Sequence, residues 1–277
     1  MAELTPDTLT DAYMRQSTEL RDRVLAFAVA LWAGAASLRD ADVDRLVERL
    51  LPVMRGGMMQ TGRLTNAYVR RLAELAGVRV TTVDVPDDLV DYRGVSQETV
   101  YRRPAVTVYT ALSKGQEYSA ARDAGLARLR SIVTTDMQQA RNRQARDAYA
   151  STGFDYTVRT LSGAENCALC VIASTQRYQL SELQPIHPGC DCGERGVTAG
   201  NDPGQVIDQG LLDEAYRLID QKLTSGDRSP ELGEKRTSRG KKLSDLTDLI
   251  ITREHGELGP TLTWRDQAFT SKSDLDH

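Results

Sequence analysis

Aromatic residues are scarce: the 277-residue chain carries three phenylalanines and two tryptophans. A core must therefore be filled by Leu, Val, Ala and Tyr rather than by Phe and Trp. Long apolar runs are missing as well. The nearest candidate, residues 24–36, falls short of the roughly 18 uninterrupted apolar residues of a membrane span and gives way to Arg39 and Asp40. No membrane-spanning helix is expected. Residues 1–9 are polar and acidic, without the basic, apolar and small-residue succession of a secretory signal. Positive charge is not in excess: the net charge is −4, which counts against a dedicated nucleic-acid-binding protein, where a basic domain is usual. Histidine is limited to His187, His255 and His277. A Ser-His-Asp triad would have to use His255, and no serine in a strained turn is there to pair with it. The motifs GxxxxGK, GxGxxG, GxSxG and HExxH are absent, and no internal repeat is visible. What remains, 40% hydrophobic and 27% charged residues, suits a globular chain with a sizeable core and room for about two domains.

Cysteine is confined to one short stretch. Cys167-Ala-Leu-Cys170 is followed, after a gap, by His187-Pro-Gly-Cys190-Asp-Cys192. Cysteines separated by two residues form a knuckle whose sulfurs face one point, and tetrahedral zinc takes four thiolate or imidazole ligands in a structural site. Five candidates thus compete for four places: Cys167, Cys170, His187, Cys190 and Cys192. Disulfides would need an oxidising compartment, which nothing at the N-terminus suggests. Redox chemistry at Cys167 and Cys170 would leave the second cluster unexplained, and inert buried cysteines would be scattered rather than clustered. A shell rich in thiolates closes and leaves no position for a substrate, so one structural Zn²⁺ per chain is expected, with no catalytic residue. The expected ligands are Cys167, Cys170, Cys190 and either His187 or Cys192. Pro188 and Gly189 allow a tight turn between His187 and Cys190. Cys190 and Cys192 are awkwardly spaced for one ion, which leaves room for one of them to support the site without binding the metal.

Along the chain, hydrophobic spacing predicts helices first. Thr5-Pro6-Asp7 is a start signal, followed by Leu20, Val24, Phe27 and Leu31 at helical spacing. A second helix is expected from Asp40, with Val43, Leu46, Val47 and Leu50 on one face, broken at Gly56-Gly57. A third runs through Leu64, Tyr68, Leu72 and Leu75 to Gly77. Residues 78–85 alternate like a strand, and the acids of Asp84-Val-Pro-Asp87-Asp88 read as a turn into a helix. Ser96 and Pro104 read as further helix starts. Residues 116–150 form a long helical stretch with room for one break. Its arginines, Arg122, Arg128, Arg130, Arg141, Arg143 and Arg146, suit either a phosphate backbone or, the preferred reading, a solvated or protein-contacting face. Tyr156 to Leu161 and Arg177 to Leu180 alternate like short strands around the first knuckle. Residues 193–205 read as a glycine-rich loop, 206–223 as a helix, 224–242 as a basic linker and 243–255 as a last helix. The tail has a turn at Gly259-Pro260 and an extended arm through Leu262 and Trp264.

The fold class expected is α+β: a predominantly helical N-terminal half, a small zinc-stapled β module, and C-terminal helices. The expected domains are residues 1–115 (helical), 116–200 (the Cys/His module with its leading helix) and 201–277 (helices, basic linker and extended tail).

The stretch from about residue 122 to 197 resembles the Mu F-type minor head proteins of tailed bacteriophages. The resemblance is carried by Arg141-Asn-Arg-Gln-Ala-Arg146, the strand at 156–161, the Cys167/Cys170 pair and the His187-Pro-Gly-Cys190-Asp-Cys192 ending. His255-Gly-Glu-Leu-Gly-Pro-Thr-Leu262 is similar to versions carried by phages of actinobacteria. The motifs cover roughly a third of the chain, and fold likeness does not dictate function. The resemblance implies a non-enzymatic virion component at the capsid interior or portal vertex, present in the host cytoplasm during assembly. It implies portal, capsid or scaffold proteins as partners and a role in head assembly, genome packaging or delivery. Packaged double-stranded DNA would be touched without sequence preference through the six arginines. Some relatives carry fused protease or toxin domains, and none is expected here.

Two other classes compete. An HNH-like nuclease also combines a cysteine pair with a downstream histidine, but His187 would then have to activate water, and no second histidine follows closely. A zinc-ribbon DNA-binding regulator would need base-reading residues in a basic domain.

Overall fold

Thr5 opens the first helix of the computed structural model. Its hydroxyl accepts the backbone N–H of Thr8 at 3.2 Å, and the Thr8 hydroxyl accepts the N–H of Thr5 at 2.9 Å. This reciprocal box, with Pro6 at the first helical position, satisfies donors that the helix leaves unpaired. The structure describes residues 4–81, 83–161, 173–174, 176–180, 192–202, 250–255 and 259–264. It is mostly helical, with α1 (Pro6–Ala33), α2 (Asp40–Ala76), a 3₁₀ turn (Asp87–Val90), α3 (Gln97–Ser113) and α4 (Tyr118–Ala150). The strands are β1 (Tyr156–Thr160), β2 (Arg177–Tyr178), β3 (Gly193–Val197), β4 (Ile250–His255) and β5 (Gly259–Trp264). Two compact units divide the chain: Met1–Arg71 with Thr82–Ala148, and Leu72–Thr81 with Tyr149–His277. No helix among the described residues is long and apolar enough to cross a membrane.

In the first unit α1 and α2 run antiparallel. Tyr13 stacks on Tyr68 with ring centroids 4.1 Å apart, and Tyr13 Oη lies 2.9 Å from Thr65 Oγ1. Gly56-Gly57 does not break α2, which continues unbroken through Pro52 and both glycines to Ala76. Gly57 is instead a contact point. A Cβ there would come within 2.8 Å of Val24 on α1 and 3.3 Å of Met137 Sδ on α4, so its hydrogen lets three helices approach. Gly77 does end the helix, at φ 65°, with Val78 N–H donating to Ala73 and Gly77 N–H to Glu74. Pro104 lies inside α3 rather than at its start, whereas Ser96 caps that helix through the Thr99 N–H. Residues 78–85 form no strand among the described positions; Val80 makes one isolated bridge to Thr152.

One apolar cluster fills this unit, from Val24, Ala28 and Trp32 through Leu46, Leu50, Met54 and Met58 to Tyr101, Leu129, Val133 and Met137. Helix α4 carries no amphipathic stripe over its middle. Residues 135–142 are all buried although most are polar. Further along the helix Gln144 donates to Asn66 Oδ1 at 2.8 Å, and Asn66 donates to the carbonyl of Val83 at 2.6 Å.

In the second unit, β2, β1 and β3 form an antiparallel sheet in the order β2-β1-β3. Residues 193–197, expected as loop, supply its third strand. Residues 250–255, expected at the end of a helix, pair as β4 with β5 from Ile250↔Trp264 to His255↔Gly259. Threonine and isoleucine at 250–252 favour the extended backbone over a helix end. Gly259 and Pro260 are the first residues of β5. The helix expected at 206–223 and the linker at 224–242 lie outside the described residues.

Candidate functional site

Antiparallel pairing of β1 with β3 decides where the two cysteine clusters attach. The register runs from Tyr156↔Val197 to Thr160↔Gly193. The chain leaving β1 toward Cys167 and the chain arriving at β3 through Cys192 therefore stand side by side at one end of the sheet. Of the five candidate ligands, Cys192 is placed there, immediately before β3. Cys167, Cys170, His187 and Cys190 lie outside the described residues. Among the described residues, no group of three or more His, Cys, Asp or Glu is arranged to hold a metal ion.

Alternation along a strand sorts the side chains onto two faces. Thr157, Arg159, Tyr178, Cys192, Glu194 and Gly196 share one face, as their pairings require. Gly196 leaves space for Phe154, whose ring a Cβ would meet at 2.4 Å. Arg159 is 5% exposed and Cys192 is 4% exposed. Arg159 Nη1 donates to Cys192 Sγ at 3.5 Å, and the guanidinium lies 5.0 Å from the centre of the Tyr178 ring. Tyr178 is held by its hydroxyl, which donates to the carbonyl of Ala173 at 2.8 Å. Glu194, opposite Arg159, is buried, and Tyr149 donates to its carbonyl at 3.3 Å. A cationic N–H thus reaches the buried sulfur of Cys192.

The other face carries a clasp. Arg177 donates to both carboxylate oxygens of Asp202, at 2.9 and 2.7 Å, and the Tyr156 hydroxyl donates to Asp202 at 2.5 Å. This ties β1, β2 and the turn after β3 together. The hydrogen bond to Asp202 raises the Tyr156 pKa, and the same carboxylate raises that of Arg177.

The six arginines of the long helix do not form one solvated stripe. Arg122 Nη2 donates to the carbonyls of Trp32, Ala33 and Ala35, capping the C-terminus of α1 where a cation suits the helix dipole. Arg141 is buried, and Arg143 lies 6.0 Å from the Tyr92 ring centre. Arg128 is partly buried; burial and then the neighbouring charges of Arg103 and Arg93 depress its pKa. Arg146 lies 3.7 Å from Asp147, and Arg130 is exposed.

Sequence reasoning missed two residues with evident roles. Arg159 was legible as part of an alternating strand, but its partner Cys192 lies thirty-odd residues away and only strand pairing brings them together. Asp136 is the second. It is buried and accepts hydrogen bonds from Tyr92 at 2.7 Å, Tyr101 at 2.6 Å, and Arg93 at 2.5 and 3.0 Å. Burial, then the charge of Asp136, pushes the pKa of Tyr92 and Tyr101 well above the ordinary phenolic value. A single Asp among helical arginines gives no hint of such a hub. Its partners come from the segment before α3 and from α3 itself.

Comparison with protein-family models, with curated proteins and with solved structures finds no match for the chain.

Proposed function

We propose that the chain is a structural minor head protein of a tailed bacteriophage, held in shape by one Zn²⁺ and without enzymatic activity. The observation that carries this reading is the Cys167/Cys170 and His187/Cys190/Cys192 string, which resembles the Mu F-type pattern. The antiparallel register of β1 and β3 supports it, because it sets the flanks of both cysteine clusters at one sheet end, as a single shared ion requires. The ion would clip the two strand ends together and do no bond-breaking. Portal, capsid or scaffold proteins are the partners this reading implies, at the capsid interior or portal vertex.

Contact with packaged DNA is a lesser part of the proposal. Arg130 is the exposed member of the six arginines, while Arg122 and Arg141 are engaged or buried. DNA binding should accordingly be weak, insensitive to sequence and steeply dependent on salt.

Mass spectrometry of purified virions from the encoding phage tests the reading. The chain should be present in every preparation, together with one zinc per copy by elemental analysis of the recombinant protein. Absence from particles, with plasmid nicking that needs Mg²⁺ or Mn²⁺ and is lost in His187→Ala, would favour the nuclease instead. Tight binding to one operator sequence would favour the regulator.

A further inference from the structure

We infer that Arg159 is a positioning residue for the Cys192 sulfur, and that it holds that sulfur as one of the ligands of the zinc clip; the inference rests on the zinc reading above. Three observations converge on it. Strand alternation puts Arg159 and Cys192 on one face of the β1–β3 pair, with Arg159 directly opposite Glu194 and Cys192 two residues before it. The guanidinium donates to the sulfur at 3.5 Å, and both groups are more than nine-tenths buried. The Tyr178 ring lies beneath the guanidinium at 5.0 Å, and the ring is itself anchored through its hydroxyl to Ala173. The plane of the donor fork is thereby set before any ligand arrives.

Arginine stays charged under all ordinary conditions, so its burial beside a sulfur places a permanent cation there. Zinc bound by thiolates carries excess negative charge on those sulfurs, and donors behind the ligands orient them and offset that charge. Arg159 is suited to that task in position, charge and rigidity. The competing assignment is that Arg159 serves Glu194 alone, as a buried cross-strand ion pair, while Cys192 only packs against it. The two assignments differ in what they predict for metal binding. If Cys192 is a ligand, it takes the place left open between it and His187, alongside Cys167, Cys170 and Cys190.

The experiment uses the full chain, loaded with Zn²⁺ for competition against a chelator and with Co²⁺ to count thiolates from the sulfur-to-metal charge-transfer band. Arg159→Lys keeps a cation but loses the fork, and Arg159→Gln keeps a donor but loses the charge. Each should weaken zinc binding by ~10–100-fold. Cys192→Ser should remove one thiolate from the cobalt band, and His187→Ala should leave the band at full strength. Melting of the metal-free proteins provides the control: a role confined to the Glu194 pair would lower that melting point and leave zinc affinity at the wild-type value. That result in both Arg159 variants, or a full-strength band in Cys192→Ser, overturns the inference while the zinc reading stands. A wild-type chain that takes up no Zn²⁺ or Co²⁺ overturns both. Should Arg159→Gln fail to fold, Arg159→Lys and the Cys192→Ser band decide the matter.

Discussion

In the helical unit, Leu50, Met54, Met58, Leu129, Val133 and their neighbours form one continuous apolar cluster, and a buried carboxylate in the same unit, Asp136, is met by Arg93 and two tyrosines. In the sheet unit, the described strands bury Val158 and Val197, with Phe154 and Tyr149 near them, but bury Arg159, Glu194 and Thr157 as well. Four helices can exclude water by covering one another's apolar faces. A three-stranded sheet with a two-residue edge strand cannot, and short sheets with little apolar face are marginal without additional support. The difference teaches where each unit is vulnerable: the first to changes of volume and to loss of its central carboxylate, the second, on the zinc proposal, to loss of the ion that clips its strand ends.

Metal removal is the strongest way to separate the two. On the zinc proposal, chelation should unfold the β1–β3 region, with a loss approaching the ~10–16 kcal/mol that structural zinc contributes in small peptides. The helical signal in circular dichroism should largely persist. Hydrogen exchange checks this: amides of residues 156–160 and 193–197 should lose protection while those of α2 keep theirs. Equal loss in both units would break the comparison.

Asp136→Ala attacks the other side. It leaves the Arg93 charge and the hydroxyls of Tyr92 and Tyr101 without their acceptor in the core, a change that typically costs ~3–5 kcal/mol. Urea unfolding followed through the helical signal should show that loss, and zinc content should stay at the wild-type value. An effect of a few tenths of a kcal/mol would mean the hub contributes little.

Alkaline titration probes the same hub without a substitution. Burial and the Asp136 charge raise the pKa of Tyr92 and Tyr101 in the folded chain, so folding favours their protonated form. The stabilisation is fully present below the ordinary phenolic pKa of about 10. It is lost as pH rises above that value toward the raised folded pKa. Melting temperature should therefore fall above about pH 10, and fall less steeply in a Tyr92→Phe/Tyr101→Phe variant.

The smallest expected effects come from adjacent glycines of α2. Gly56 has open space where a Cβ would stand, so Gly56→Ala should stabilise the helix by about 0.5–1 kcal/mol. Gly57→Ala would press on Val24 and Met137, and overpacking of about 1–3 kcal/mol should exceed the propensity gain. Thermal melts of the two variants should shift in opposite directions. Shifts of the same sign would show that the helices yield at this contact.

Much of the helical unit was legible in the residues. The cap at Thr5, the stripe at Val43, Leu46, Val47 and Leu50, the stop at Gly77 and the cap at Ser96 all act through neighbours within a turn or two. The errors have a common cause. Gly56-Gly57 and Pro104 read locally as a break and a start, yet packing keeps them inside helices. The β character of residues 193–197 depends on pairing with β1, which local composition does not reveal. Phe27 reads as part of the α1 stripe but stays 37% exposed, because the stripe it belongs to is narrower than periodicity alone suggests. The candidate site was legible only as a set of ligand types. Cys192 could be named from the sequence, but its cationic neighbour could not.

The residues alone settled the local matters: where most helices begin and end, which positions turn inward, and which side chains are chemically able to bind a soft metal. These follow from backbone propensity and from contacts a few positions apart. The tertiary structure alone decided that Gly57 joins helices instead of parting them, that Asp136 gathers three donors, and that Arg159 stands over Cys192. Each of these depends on chain segments brought together from far apart, and the free energy that selects them arises only when burial removes water from all of them at once.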